Sequence, residues 1–145
     1  MAAGLEAPPQ ATAGSGVIAG LTLTDRLARG GFAEVWRAEQ VSLGRTVAVK
    51  ILRRELLGQP EMVRLFEREA RVLARLNHPN VVQVIDRGSS PLGPYFVMEY
   101  VEGETLQSLL SRGSLSRDRA LAILLEAARG LAYAHLNGVV HRDVK

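Results

Sequence analysis

Short runs of alternating apolar and polar residues fill the first two thirds of the chain. Between Leu21 and Leu52, three stretches rich in Val, Thr and Leu are separated by "RGG" and "SLGR". Two further runs, "VVQVID" and "YFVMEY", flank the turn-rich segment "RGSSPLGP". Such runs, bounded by Gly, Pro and Ser, are typical of consecutive antiparallel strands joined by turns. The pattern therefore predicts a five-stranded sheet.

The third run shows the alternation most clearly. Successive side chains of a strand point to opposite faces, so Lys50 is expected to share a face with the small residue Ala48. The full assignment places Val47, Val49 and Ile51 on one face and Ala48, Lys50 and Leu52 on the other.

A helical period interrupts the strands. Over about residues 61–76, Leu65, Val72 and Leu76 fall on one stripe, and the acidic residue Glu69 lies on that same stripe. The following "NHPN" ends the predicted helix, because a residue before proline disfavours the helical backbone.

Helical patterns also occupy the last third of the chain. A short helix is predicted over about residues 106–110 and a long one over about residues 117–136. Ser116 is the expected N-cap of the long helix and Gly138 its expected C-terminal stop.

Composition limits the class of protein. The chain has 145 residues, which allows one domain, and a formal net charge of +3 with arginines scattered among acids rather than clustered. This distribution argues against nucleic-acid binding. There is no cysteine, no apolar run long enough to cross a membrane and no signal-peptide pattern, and residues 1–20 have the Ala, Gly and Pro content of a disordered lead-in. We expect a soluble, cytoplasmic protein.

Lysine is almost absent from this chain. Of its 18 basic residues only Lys50 and Lys145 are lysines, and each closes a short motif, "VAVK" or "HRDVK". Arginine serves everywhere else, so lysine is expected where a compact ammonium cannot be replaced by a planar guanidinium. Glu69, an acid on an apolar helical stripe, needs a partner, and Lys50 is the natural candidate.

Together these motifs resemble those of bacterial, eukaryotic-like serine/threonine protein kinases. The resemblance implies an α+β, protein-kinase-like fold, in which a five-stranded antiparallel N-lobe sheet packs on helix C and is followed by helices D and E. It implies a kinase N-lobe over residues 21–100, and the hinge with part of the C-lobe over residues 101–145. In that family the strand-three lysine, here Lys50, holds the α- and β-phosphates of ATP, and Glu69 orients it.

The segment "LARGGFAEVW" resembles the family's glycine-rich loop over the ATP phosphates. Alanine stands at the first and third of the three glycine places, at Ala28 and Ala33. Because an alanine Cβ resists positive φ, this change predicts a looser phosphate cradle. Besides Lys50 and Glu69, the resemblance assigns Leu27, Gly30, Gly31, Val35 and Ala48 to the nucleotide site.

The run "YFVMEYVEGETL" resembles the last N-lobe strand and the hinge. The resemblance makes Met98 the gatekeeper, and Glu99 and Val101 the residues whose backbone groups meet the adenine edge. Glu104 and Thr105 both lie where the ribose would be met, and the sequence does not choose between them.

"HRDVK" resembles the start of the family's catalytic loop. There Asp143 orients the substrate hydroxyl, Lys145 neutralises charge on the transferred phosphoryl group, and Arg142 holds a phosphorylated activation loop. His78, His135 and His141 are interpreted as structural. The implied cofactors are ATP and Mg²⁺, but the family's metal ligands, an Asn and the "DFG" Asp, lie beyond residue 145, so we assign no metal ligand and expect a longer reading frame.

The sequence supports one main interpretation and leaves two alternatives open. The main one is the N-terminal part of an ATP-dependent kinase that transfers the γ-phosphoryl group to a protein serine or threonine. The first alternative is a pseudokinase or nucleotide-binding scaffold, which Ala28 and Ala33 favour. The second is a non-enzymatic fragment whose hinge and helix surface binds a partner.

Overall fold

The computed structural model describes residues 18–142 and 144. Within these residues, five strands, three α-helices and one 3₁₀ turn over Arg54–Leu56 form. The strands are β1 (Leu21–Arg29), β2 (Ala33–Gln40), β3 (Arg45–Leu52), β4 (Val84–Ser90) and β5 (Gly93–Glu99), and the helices are α1 (Pro60–Leu73), α2 (Leu106–Ser111) and α3 (Arg117–Leu136).

The strands form one antiparallel sheet in the order β1-β2-β3-β5-β4. The predicted five-stranded sheet is therefore confirmed. The fourth strand begins later than the run "VVQVID" indicates, at Val84, and it continues through Ser90 into the segment predicted as a turn. The turn itself is confined to Pro91 and Leu92, because Ser90 pairs directly with Gly93.

Apolar side chains cover both faces of this sheet. The alternation predicted for β3 is confirmed, since Val47, Val49 and Ile51 join one core cluster while Leu52 joins the other. The first cluster also holds Ile18, which is only 2% exposed. Packing therefore begins before Leu21, inside the stretch predicted as a lead-in; residues 1–17 of that stretch lie outside the described residues.

Helix α1 covers the second cluster, but with a different face from the predicted one. Its buried residues are Phe66 and Ala70, and Phe66 lies against Phe96 of β5 with ring centroids 5.2 Å apart. Leu65, on the predicted stripe, is 50% exposed. The largest apolar side chain of the helix thus determines which face packs, and Glu69 lies at the edge of that face rather than within it.

Local signals define the ends of the helices. Pro60 occupies the first turn of α1, where its missing N–H is harmless. The Ser116 side chain accepts a hydrogen bond from the Arg119 N–H at 3.4 Å, and Gly138 adopts a φ of 75° after α3. Both predicted boundary residues are confirmed. None of the helices in the described part of the chain is long and apolar enough to span a membrane.

Helix α3 docks on the segment between α1 and β4. The Tyr133 hydroxyl accepts a hydrogen bond from the Asn77 N–H at 3.2 Å, and its ring stacks on His78 at 4.9 Å. Gly130 allows the backbone to approach: a Cβ built there would lie 2.6 Å from the Asn80 carbonyl oxygen. The contact between α3 and the segment that joins α1 to β4 therefore requires glycine at this helical position.

Replacing Gly130 by Ala is expected to destabilise the fold, although Ala is normally preferred inside a helix. The obstacle is a backbone oxygen, which cannot rotate away, so α3 must shift from Asn80. We expect a loss of about 1–3 kcal/mol of unfolding free energy, measured by denaturant titration of the full-length gene product. The control is Gly58→Ala, where no atom lies within 4 Å of the added Cβ; equal stability of the two variants would contradict the packing argument.

Candidate active site

Lys50 and Glu69 form an ion pair between the sheet and α1. The Lys50 Nζ lies 2.6 Å from the Glu69 Oε1 and 5.4 Å from the centre of the Phe96 ring. The side chains are 25% and 43% exposed. The structure thus brings together the two residues that the sequence pairs, but in a partly solvated setting, so the large cost of breaking a fully buried pair does not apply.

Cross-strand register groups the other predicted nucleotide residues around this pair. Val35 of β2 lies opposite Lys50, and Ala48 lies opposite Met98 of β5. Directly opposed residues of antiparallel strands project from the same face. This face, called the cleft face below, is formed by Val35, Ala48, Lys50 and Met98. Ala48, in its centre, is small and only 6% exposed.

The glycine-rich loop joins β1 to β2 above the cleft face. Among non-glycine residues in the described part of the chain, only Arg142 has a positive φ, so Ala28 and Ala33 have ordinary backbone conformations. The reason given for a looser phosphate cradle, an alanine held at positive φ, therefore does not apply to this conformation of the loop. Gly30 donates its N–H to the Ala33 carbonyl at 2.9 Å and closes the turn, while Leu27 lies at an irregularity of the β1–β2 ladder.

A cluster of charges, which the sequence did not predict, surrounds the base of the loop. Arg53 donates to the carbonyls of Gly30 and Gly31 and pairs with Glu55, which also lies 3.8 Å from Arg29. A backbone hydrogen bond, followed by the Arg53 side chain, lowers the pKa of the Glu55 carboxyl group. The sequence signal for this cluster is weak, because more than 20 residues separate Arg53 from either glycine.

The segment predicted as the hinge follows β5 directly. The Glu99 N–H bonds to the Gln83 carbonyl at 3.0 Å, and the Glu99 carboxylate accepts from the Gln83 N–H at 2.8 Å. The Tyr100 ring lies 5.3 Å from the Arg37 guanidinium carbon, and Val101 is 64% exposed. These contacts hold the start of the predicted hinge, and Val101, which follows them, is open to solvent.

Glu104 and Thr105, the two alternatives for the ribose contact, have different partners. The Glu104 carboxylate is paired with the Arg112 guanidinium. The Thr105 side chain caps α2 by accepting from the Ser108 N–H at 3.1 Å. Neither arrangement decides between them.

The catalytic-loop motif lies at the end of the chain. Asp143 and Lys145 fall outside the described residues. Arg142 has a left-handed φ of 62°, which is uncommon for a side chain of this size. His141 borders a groove whose other walls include Asn80, Gly130 and Val139. Within residues 18–142 and 144, no three acidic or histidine side chains are grouped to hold a metal ion.

Comparison with known proteins identifies the fold. The protein kinase domain family matches residues 21–145. The chain belongs to the protein kinase family. The crystal structure of the Mycobacterium tuberculosis PknI kinase domain superposes on this kinase chain with a TM-score of 0.72 and 33% identity, covering 93% of this chain and 56% of that one. The predicted kinase-like N-lobe, with α1 as helix C, is therefore confirmed.

Bacterial kinases are among the curated relatives of this kinase chain. Serine/threonine-protein kinase pkn2 of Myxococcus xanthus is 47% identical over 119 residues, which are 82% of this chain and 14% of that protein. Serine/threonine-protein kinase PknA of Mycobacterium tuberculosis is 45% identical over 138 residues, or 87% of this chain and 32% of that protein. These relatives support membership of the serine/threonine kinases, and the chain spans a third or less of either of them.

Proposed function

We propose that this chain is the nucleotide-binding part of an ATP-dependent serine/threonine protein kinase. The observation that carries the proposal is the 2.6 Å contact between Lys50 on the cleft face and Glu69 on α1. A lysine held by a carboxylate keeps its ammonium in one place, where it can bind a polyphosphate without reorganising. The near absence of other lysines indicates that this position requires an ammonium.

The cleft face suits a planar heterocycle. The adenine ring is proposed to lie against Val35 and Ala48, with Leu27 at the entrance and Met98 at the back. A side chain larger than that of Ala48 would extend into the position proposed for the ring. The backbone groups of Glu99 and Val101 are proposed to bind the adenine edge.

The phosphates are proposed to lie between Lys50 and the loop at Gly30 and Gly31. Neither glycine needs its special backbone freedom in this structure, since neither has a positive φ. The absence of a side chain there serves close approach: a Cβ at Gly31 would meet no atom of the protein. It would instead extend into the space proposed for the phosphates.

Phosphoryl transfer itself is proposed for residues at the chain end, because their motif resembles the family's catalytic loop. Asp143 is proposed to orient the hydroxyl of a protein serine or threonine, and Lys145 to neutralise charge on the phosphoryl group. Mg²⁺, when bound, would neutralise charge that develops on the phosphates during transfer, and no residue of this chain is assigned as its ligand. We place the domain in the cytoplasm, where ATP is available.

The test is a transfer assay with radiolabelled ATP and a generic protein substrate. The full-length gene product is expected to label serine or threonine, which phosphoamino-acid analysis identifies. Binding of ATP without transfer would instead support a pseudokinase. Since Ala28 and Ala33 are unstrained, the loop offers no steric argument for that alternative.

A further inference from the structure

A single residue outside the predicted site binds the glycine-rich loop. Arg53 directly follows β3, and its guanidinium Nη1 lies 3.2 Å from the Gly31 carbonyl and 3.5 Å from the Gly30 carbonyl. Its backbone N–H donates to the Phe32 carbonyl at 2.9 Å. Three consecutive carbonyls of the loop are therefore directed at Arg53.

Because the peptide bond is planar, the contacts of Arg53 with the carbonyls also determine where the N–H groups of the loop point. In a trans peptide the N–H of one residue points opposite to the carbonyl of the residue before it. Because the carbonyls of residues 30–32 face Arg53, the N–H groups of Gly31, Phe32 and Ala33 point away from the atoms that bind those carbonyls. Successive outward N–H groups of this kind form an anion-binding concavity.

The surroundings of Arg53 hold its guanidinium in this position. Its side chain is only 25% exposed, and its Nη2 lies 3.3 Å from the Glu55 Oε1. The Nε atom is buried without a hydrogen-bond partner, and the side chain bonds to the loop through Nη1 and to Glu55 through Nη2. A planar fork can reach two carbonyls and a carboxylate together, whereas an ammonium is a single point donor.

We propose that Arg53 is a positioning residue, which fixes the glycine-rich loop with its N–H groups directed at the nucleotide phosphates. The proposal rests on the proposed ATP-binding function. It also accounts for a loop that keeps its shape with alanine at positions 28 and 33, since the carbonyl contacts of Arg53 supply order that does not depend on those positions.

The first experiment compares ATP with adenosine in the full-length gene product and its Arg53→Ala variant, by calorimetry. The loop N–H groups contact only phosphates, so ATP is expected to bind about 10-fold more weakly to the variant while adenosine binds equally well. Unchanged ATP affinity, or an equal loss for adenosine, would overturn the proposal.

Two further variants separate positioning from charge. Arg54→Ala removes the same charge one residue away, from an exposed side chain with no bond to the loop, and is expected to leave ATP affinity within about twofold of the unsubstituted protein. Arg53→Lys keeps the charge but loses the fork, and is expected to remain about 5-fold weaker for ATP. Full recovery with lysine would show that charge alone acts, and would overturn the proposal.

Hydrogen exchange tests the positioning without any nucleotide. In the unsubstituted protein the Gly30 N–H is bonded to the Ala33 carbonyl. This amide is expected to exchange faster in the Arg53→Ala protein and at the unsubstituted rate in the Arg54→Ala protein. Equal exchange in both variants would refute the positioning role. If the unsubstituted protein binds no ATP, the proposed function fails, but this measurement still decides whether Arg53 holds the loop.

Discussion

Replacement of Lys50 by Met is expected to abolish phosphoryl transfer in the full-length gene product. The ammonium at 2.6 Å from Glu69 belongs to the cleft face and lies beside the proposed phosphate position. Loss of one preorganised electrostatic group of this kind lowers turnover by about 10²–10³-fold. Turnover is measured as phosphate incorporated from labelled ATP at saturating substrate.

The same change is expected to have little effect on folding. The pair is 25% and 43% exposed at its two side chains, and partly exposed ion pairs contribute about 1 kcal/mol or less. Lys50→Arg is expected to rescue turnover poorly, because a guanidinium places its charge differently from an ammonium. Arg45→Met, on the same strand, is the control: its guanidinium bonds Gln40 at 2.7 Å, away from the cleft. Near-normal turnover in Lys50→Met would exclude the assigned role.

The parts of the fold that follow local rules could be predicted from the sequence. The alternation in β3 and the boundaries of α3 depend on neighbouring residues, such as the Ser116 cap and the Gly138 stop. Each needs information from only a few positions along the chain. The Lys50–Glu69 pair was predictable for a different reason, since family resemblance supplied the long-range contact.

Parts that depend on tertiary packing were not predictable in this way. Helix α1 has apolar residues on two stripes, and the choice between Leu65 and Phe66 is made by Phe96, a strand residue 30 positions further along the chain. Where β4 begins depends on its pairing with β5, since Val84 meets Met98. The periodicity of apolar residues shows that a helix has two apolar faces, but it does not show which of them packs against the sheet in the folded protein.

The role of Arg53 illustrates the same limit within the site. Arg53 and the neighbouring Arg54 have the same sequence context. The Arg53 guanidinium nevertheless binds two loop carbonyls, whereas the Arg54 side chain is exposed. The difference arises because Arg53 continues the β3 ladder, with its N–H bonded to Phe32. Contacts made across a sheet by a residue at its end are therefore found only in the structure.

The second prediction with a large effect concerns α3, which has apolar residues on two opposite faces. Gly130 and Ala134 are buried against the segment before β4. Side chains nine positions apart on a helix point in directions about half a turn apart around the helix axis. Leu121 therefore lies on the face opposite Gly130. The leucines of this second face are exposed: Leu121 by 54%, Leu124 by 62% and Leu125 by 52%.

The isolated 145-residue chain is therefore expected to self-associate or aggregate. Three adjacent leucines at this exposure form the kind of contiguous apolar patch that single soluble domains avoid. In the PknI kinase domain this chain corresponds to 56% of the structure, and we propose that the remaining C-lobe covers the same face. Light scattering coupled to size-exclusion chromatography measures the association. A monodisperse monomer with a cooperative melt would contradict the prediction.

A triple variant tests whether this face is the cause. Replacing Leu121, Leu124 and Leu125 by Glu adds charge to one helix face and leaves the packing of Gly130 and Ala134 unchanged, so association of the isolated chain is expected to fall sharply. A control variant with Glu at Val41 and Leu43, which are 61% and 63% exposed in the turn between β2 and β3, is expected to associate like the unsubstituted chain. If the control and the triple variant suppress association equally, general charge rather than the leucine face of α3 controls solubility.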